Sequence, residues 1–261
     1  MWIQVAAAVV AATVVVAHNF IIAKEAQTDS ASKWDTVPVE VVVSSMYRPG
    51  TLVADALHSV ARCSSIEYGV HVYGYNPLYE HRGVIGHQIP ASPFHNAYRW
   101  LNTNFKEKMP TKAMAGGNKE KYDDSAKRAF WRTSLNLDAW YVLSDAAERS
   151  GAEVVVWMEN DGIVRDCVVM DASIQRFLKS GDEAASCYGR ENAVYHGYRS
   201  VCMMFLRSKL PAILKHVLGY HMVQPFDWIL SDYAHATKGK WTTYDVVSHG
   251  RPGKSHDSTL G

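Results

Sequence analysis

Several signatures are missing from this chain. No Gly-x-Gly-x-x-Gly follows the first valine-rich segment, which argues against a dinucleotide fold and against a Walker loop. The four cysteines, Cys63, Cys167, Cys187 and Cys202, show neither a Cys-x-x-Cys spacing nor a paired-histidine pattern, so a structural zinc site is not expected. An oxidising compartment would allow one or two disulfides, whose pairing sequence does not give. There is no Asn-x-Ser/Thr acceptor, which is neutral on secretion. There is also no basic surplus: the net charge is +1 and 20% of residues are charged, so nucleic acid is not an expected partner. No internal repeat is visible.

What is present begins at the N-terminus. Residues 2 to 23, "WIQVAAAVVAATVVVAHNFIIA", are apolar apart from Gln4, Thr13, His18 and Asn19. About 20 helical residues rise roughly 30 Å, the thickness of a bilayer's hydrocarbon core. The run reads as a signal anchor; a cleaved signal peptide competes, because Val15-Val16-Ala17 offers small residues for cleavage. No lysine or arginine precedes it, so the positive-inside rule sets no orientation. Residues 24 to 36 are polar and small and read as a stem. Residues 37 to 261 are long enough for one large α/β domain.

Within that domain "VPVEVVVSS" reads as a buried strand, "TLVADALHSVARC" as a helix and "IEYGVHVYGYN" as a second strand. This order opens a Rossmann-like sheet. The lysine-rich stretch from Phe105 to Ala129 reads as a surface loop. A helix is expected from Phe130 to Gly151 with Leu135, Ala139, Val142 and Leu143 on its buried face, and another from about Val168 to Leu178. "SKLPAILKHVLGYH" is amphipathic, with Ser208 as its expected N-cap and Leu210, Ile213, Leu214, Val217 and Leu218 on one side. "QPFDWILSDYA" opens a further helix with Asp227 in its first turn, and "YDVVSHG" is a closing strand.

The segment "VVVWMENDGIV", residues 154 to 164, drives a buried strand straight into Glu159, Asn160 and Asp161. A carboxylate at the end of a core strand costs several kcal/mol of lost hydration, roughly, unless something pairs with it. A surface turn at Asp161-Gly162 is one explanation. A metal ion and a nucleotide held at the carboxyl end of the strand are the other. Glycoside hydrolysis by Glu159 and Asp161 fits poorly, since residues two apart on a strand point the same way and do not flank a bond. Individually the remaining features are ordinary: Asp227 can complement a helix dipole, His249 can be a loop residue, and His216 and His221 surface or core residues.

Taken in order, "WRTSLNLDAW", "VVVWMENDGIV", "MMFLRSKLP", "QPFDWIL" and "SHGRPGKSHDSTLG" resemble the motifs of the β-1,4-N-acetylglucosaminyltransferase IV family of Golgi enzymes. The resemblance implies a GT-A-type fold with a mixed central sheet, and an inverting transfer of N-acetylglucosamine from UDP-N-acetylglucosamine to a mannose-containing glycan. It implies Asp161 and His249 as ligands of a divalent cation, Mn²⁺ ahead of Mg²⁺. Asp227 is implied as the general base with Glu159 next in line. Arg48, Arg132, Asn136, Asp138 and Asn160 would lie toward the donor, and His256 and Ser258 on the acceptor loop. A Golgi membrane protein with a luminal catalytic domain follows from the same likeness. Two departures stand out: the family's central acid is Asn160 here, and the lysine of its Trp-Arg-x-Lys stretch is Ser134. The family also continues into a further sugar-recognising region. The alternatives are a related enzyme adding N-acetylgalactosamine to the glycosylphosphatidylinositol anchor, and an inactive glycan-binding protein.

Overall fold

A computed structural model describes residues 39–45, 52–63, 68–74, 84–90, 93–107, 126–188, 201–239 and 241–249. Val39–Ser45 (β1) buries its valines, Val39, Val41, Val42 and Val43, on both sides of the sheet. Leu52–Ala61 (α1) returns the chain, and Tyr68–Gly74 (β2) then pairs parallel to β1. Val84–Gln88 (β3) adds a parallel edge strand, followed by Phe94–Phe105 (α2) and the long Ala126–Arg149 (α3). Val154–Glu159 (β4) lies parallel to β1 on its other side. Gly162–Val164 (β5), Cys167–Ser180 (α4), Ala184–Ser186 (β6) and Cys202–Leu206 (β7) come next. Leu210–Tyr220 (α5), Phe226–Thr237 (α6) and Val247–His249 (β8) complete the order.

The main sheet runs β3-β2-β1-β4-β7-β6, with β7 antiparallel to both neighbours; β5 and β8 form a separate antiparallel pair. This is the mixed α/β sheet expected from the sequence. Strand alternation sorts the core into two layers. Val42, Tyr73, Val155, Trp157 and Phe205 meet α2, α3, α5 and α6. Val41, Val72, Val156 and Met158 face the other way, onto α1 and α4. β4 contributes to both: Val154, Val155, Val156 and Met158 are fully buried, each stabilising by about 1.5–3 kcal/mol relative to exposure. Asp166 caps α4 through hydrogen bonds from the Val168 and Val169 amides, and Gly181 closes it at φ +76°.

Both disulfides that four cysteines allow are formed, Cys63–Cys167 and Cys187–Cys202. The first ties the end of α1 to the start of α4, and the second joins the ends of β6 and β7. They close loops of 104 and 15 residues, for which chain entropy gives about 4.7 and about 3 kcal/mol.

Several expectations need correction. α3 begins at Ala126, four residues ahead of Phe130; Phe130 and Trp131 are exposed there, so no apolar face marks the start. Its buried face is also broader, taking in Leu137, Trp140 and Ala146, while Leu135 is only half-buried. Ser208 does not cap α5. It sits in a 3-10 turn, Arg207–Lys209, because the Arg207 amide is still bonded to Glu153 O at 2.9 Å. The five residues expected on the buried side of α5 are all buried. Among the described residues no helix is long and apolar enough to cross a membrane; residues 2 to 23 lie outside them.

Candidate active site at the end of the fourth strand

From β1 the chain moves to β2 and β3 on one side of the sheet, and β4 returns on the other side. The β1–β4 seam is therefore a topological switch point, and ligands of open α/β sheets bind outside the strand carboxyl ends at such a point. Ser44 stands opposite Glu159 in the parallel register, so the seam opens directly onto Glu159, Asn160 and Asp161.

The turn here is not a surface turn. Asn160 and Asp161 are each 6% exposed, and the Glu159 amide donates to Val201 O at 2.9 Å. A Cβ on Gly162 would meet Glu159 O, Met158 Cε and Val201 O, each at 3.3 Å. Glycine is what lets the chain fold back this tightly from β4 into β5. α1 holds β5 in place: Ser59 Oγ accepts from the Val164 amide at 3.0 Å and Arg62 Nη2 donates to Val164 O at 2.6 Å. β8 pairs with β5 so that His249 stands opposite Gly162, one residue beyond Asp161. The backbone register thus sets position 249 beside the end of β4.

The helices arrive from the other layer. Trp157 and Glu159 project to the same face, two residues apart on β4. Trp157 packs on Phe226 with ring centroids 5.2 Å apart, which sets the first turn of α6 against β4 just short of Glu159. Asp227, half-exposed in that turn, accepts a hydrogen bond on Oδ1 from the Trp228 amide at 3.0 Å.

α3 ends at the amino end of β1, where Arg149 bonds Glu40, and residues 150–153 turn it into β4. Its first half therefore lies toward the strand carboxyl ends, with Arg132, Asn136 and Asp138 buried. Asn136 is fully buried, and its Nδ2 donates to His221 O at 2.7 Å and Gln224 O at 2.8 Å. Gln224 in turn donates to Asp232 Oδ2 at 2.6 Å. Asn136 thus clamps the α5–α6 loop that leads into Asp227. Arg48, His256 and Ser258 lie outside the described residues.

The donor set can be tested against a divalent cation and a nucleotide. Among the described residues no group of three or more His, Cys, Asp and Glu side chains gathers as a complete metal cage. Mg²⁺ and Mn²⁺ do not need one: one or two carboxylates plus diphosphate oxygens suffice, and Asp161 offers such a hard donor. Buried Asn160 Nδ2 has no hydrogen-bond partner among the described residues. An amide N–H is a donor, so this position suits an oxygen of the sugar nucleotide better than the metal. The residues present fit both groups.

Sequence reasoning missed a polar cluster under α3. Arg149 reaches Glu40 and donates to Tyr73 Oη at 2.7 Å, and Tyr73 donates to Asp145 Oδ2 at 2.6 Å. His71 Nδ1 and His87 Nε2 share a hydrogen bond at 2.7 Å. Burial holds both histidines below their ordinary pKa, and for both the nearby Arg149 charge adds to the effect. The available signal was Glu40 among valines and the one-face alternation of His71 and Tyr73.

No protein-family model matches the chain, and no curated protein matches it by sequence. Among solved structures it is similar to the galactosyltransferase LgtC in complex with donor and acceptor sugar analogs. That match has 10% identity and a TM-score of 0.42, over 78% of this chain and 72% of that one. Mouse xyloside xylosyltransferase 1 matches at 9% identity and TM-score 0.45, over 80% of this chain and 85% of the other. A glycosyltransferase involved in glycosylation of the major capsid of PBCV-1 gives 11% and 0.43, over 80% and 82%. Likeness this distant does not assign an activity.

Proposed function

We propose that this chain is an inverting, metal-dependent glycosyltransferase of GT-A type that moves N-acetylglucosamine from UDP-N-acetylglucosamine to a mannose-containing glycan. The observation that carries the reading is the buried Glu159-Asn160-Asp161 strand end at the β1–β4 switch point, with β8 laid beside it. The motif order from "WRTSLNLDAW" to "SHGRPGKSHDSTLG" supports the choice of sugar.

In this reading Asp161 and His249 hold a divalent cation, Mn²⁺ ahead of Mg²⁺. Such a cation supplies positive charge against the diphosphate leaving group as the glycosidic bond breaks. The chain's own residues do the rest. Asn160 donates from Nδ2 to the nucleotide. Asp227 takes the proton of the acceptor hydroxyl, whose high pKa makes it a poor nucleophile at neutral pH. Asn136 fixes the loop that sets Asp227, through the carbonyls of His221 and Gln224. Glu159 shares a sheet face with Trp157, and so with the first turn of α6, and orients the acceptor. Two formed disulfides suit an oxidising compartment, as in a Golgi enzyme anchored through residues 2 to 23.

The test is UDP release by the purified protein with each common UDP-sugar, with and without Mn²⁺, and with a mannose-terminated oligosaccharide as acceptor. Acceptor-dependent release with UDP-N-acetylglucosamine alone supports the reading. Release only with UDP-N-acetylgalactosamine moves it to the anchor-modifying enzyme, and no release with any donor moves it to a glycan-binding protein.

A further inference from the structure

A second recessed surface lies between α2 and α3, on the outer helical layer. It is a cavity of about 290 Å³, open to solvent, lined from α2 by Asn96, Arg99 and Trp100 and from α3 by Tyr141, Asp145 and Glu148. Its floor is firm. Trp100 and Trp140 pack edge to face with centroids 5.7 Å apart, and both Ala97 and Leu101 of α2 are buried in the core beneath.

Its polar groups are only partly committed. Asp145 Oδ2 is fixed by hydrogen bonds from Tyr73 at 2.6 Å and from Arg149 Nε at 3.3 Å, whereas Asp145 Oδ1 has no partner among the described residues. Arg99 and Glu148 are exposed and of opposite sign, yet no ion pair joins Arg99 to either carboxylate. Arg149 also pairs with Glu40, so Arg99 faces Asp145 and Glu148 with one carboxylate in excess, which disfavours an anion and leaves acceptor oxygens for hydroxyl groups to satisfy. The groove presents two acceptor carboxylates, a guanidinium and amide donor, and two aromatic side chains.

We infer that this groove binds a neutral saccharide: a pyranose ring whose apolar face lies on Trp100 or Tyr141 and whose hydroxyls bridge Arg99 to Asp145 and Glu148. Hydroxyl groups both donate and accept, so one ring satisfies the carboxylates and the guanidinium together. A ring with an apolar face is also a good match to an aromatic one. The groove is made by different residues from those of the strand-end site, and the inference stands whether or not that site transfers a sugar.

The experiment uses the full-length protein and three probes, chitobiose, mannobiose and lactose, followed by saturation-transfer NMR and calorimetry. Each is taken to about 10 mM, a range that reveals millimolar affinity. At least one probe is expected to bind. The double variant Arg99→Ala/Glu148→Gln changes only exposed side chains, and it should weaken that binding about tenfold or more, as loss of charged hydrogen bonds would. Asp161→Ala should leave the binding unchanged. No binding by any probe overturns the inference. So does binding that survives the double variant, or binding that Asp161→Ala abolishes, which would locate the sugar at the strand end instead. Groove binding in a protein that releases UDP from no donor would sink the transferase reading and leave this one standing.

Discussion

Asn136 on α3 and Gln224 ahead of α6 are joined by a 2.8 Å hydrogen bond from Nδ2 to a main-chain carbonyl, 88 residues apart in sequence. With the parallel bond to His221 O, it makes one fully buried amide the anchor of the loop that delivers Asp227. Asn136→Ala leaves two buried carbonyls without their donor, at about 1–3 kcal/mol each. The expected outcome is a drop in unfolding free energy of that order in urea titration. Donor binding should hold in whatever fraction stays folded, with turnover falling because the base is misplaced.

Asp227 itself is the cleaner probe of chemistry. General base catalysis contributes typically about 10²- to 10⁴-fold, so Asp227→Asn should reduce turnover by about that factor. The amide keeps an oxygen for the Trp228 N–H, so thermal stability should hardly move. A variant that loses stability while its remaining folded fraction turns over normally would make Asp227 a structural first-turn residue.

Acidification should destabilise the fold. Burial lowers the pKa of His71 and His87, and likewise of His216 and His221, so the folded state binds fewer protons than the unfolded chain. The stability they contribute is complete above the ordinary histidine value of about 6.5 and is lost as pH falls through the lowered folded values. Around the His71–His87 pair, Glu40 and Asp145 oppose the shift while Arg149 reinforces it. Urea unfolding should therefore show less stability at about pH 5.5 than at about pH 7.5, and His87→Gln should reduce that difference. Equal stability at both pH values would contradict the buried-histidine account.

Reduction should loosen the site as well as the fold. Cys63–Cys167 fastens the end of α1 to the start of α4, and between them lies β5, the segment that follows Asp161. Replacing both cysteines by serine should lower stability by about 2–5 kcal/mol, the usual cost of losing a native disulfide. Protease should then cut more readily near β5 than in the wild-type protein.

The parts of this fold legible in the sequence were those whose local pattern and tertiary role agree. β4 announced itself as five apolar residues ending in acid, and α5 as a stripe that the core then buried residue for residue. β3 and α2 left little trace. β3 is a half-exposed edge strand of five residues, and α2 has no side-chain cap and buries only Ala97 and Leu101. The polar cluster was harder still: Glu40 and Arg149 lie 109 residues apart, and only tertiary packing brings them together. Asn136 stood in a recognised motif, but its bonds to the α5–α6 loop depend on a helix-to-loop contact that no local pattern encodes.

Mn²⁺-dependent UDP binding is the most direct measurement of the central claim, that the β4 strand end is a metal and nucleotide site. By calorimetry the wild-type protein should bind UDP with Mn²⁺ present and lose most of that affinity when the metal is chelated. Asp161→Ala, with its fold intact by circular dichroism, should show no metal-dependent component. Equal UDP binding by wild type and Asp161→Ala, or binding indifferent to Mn²⁺ in both, would contradict the account.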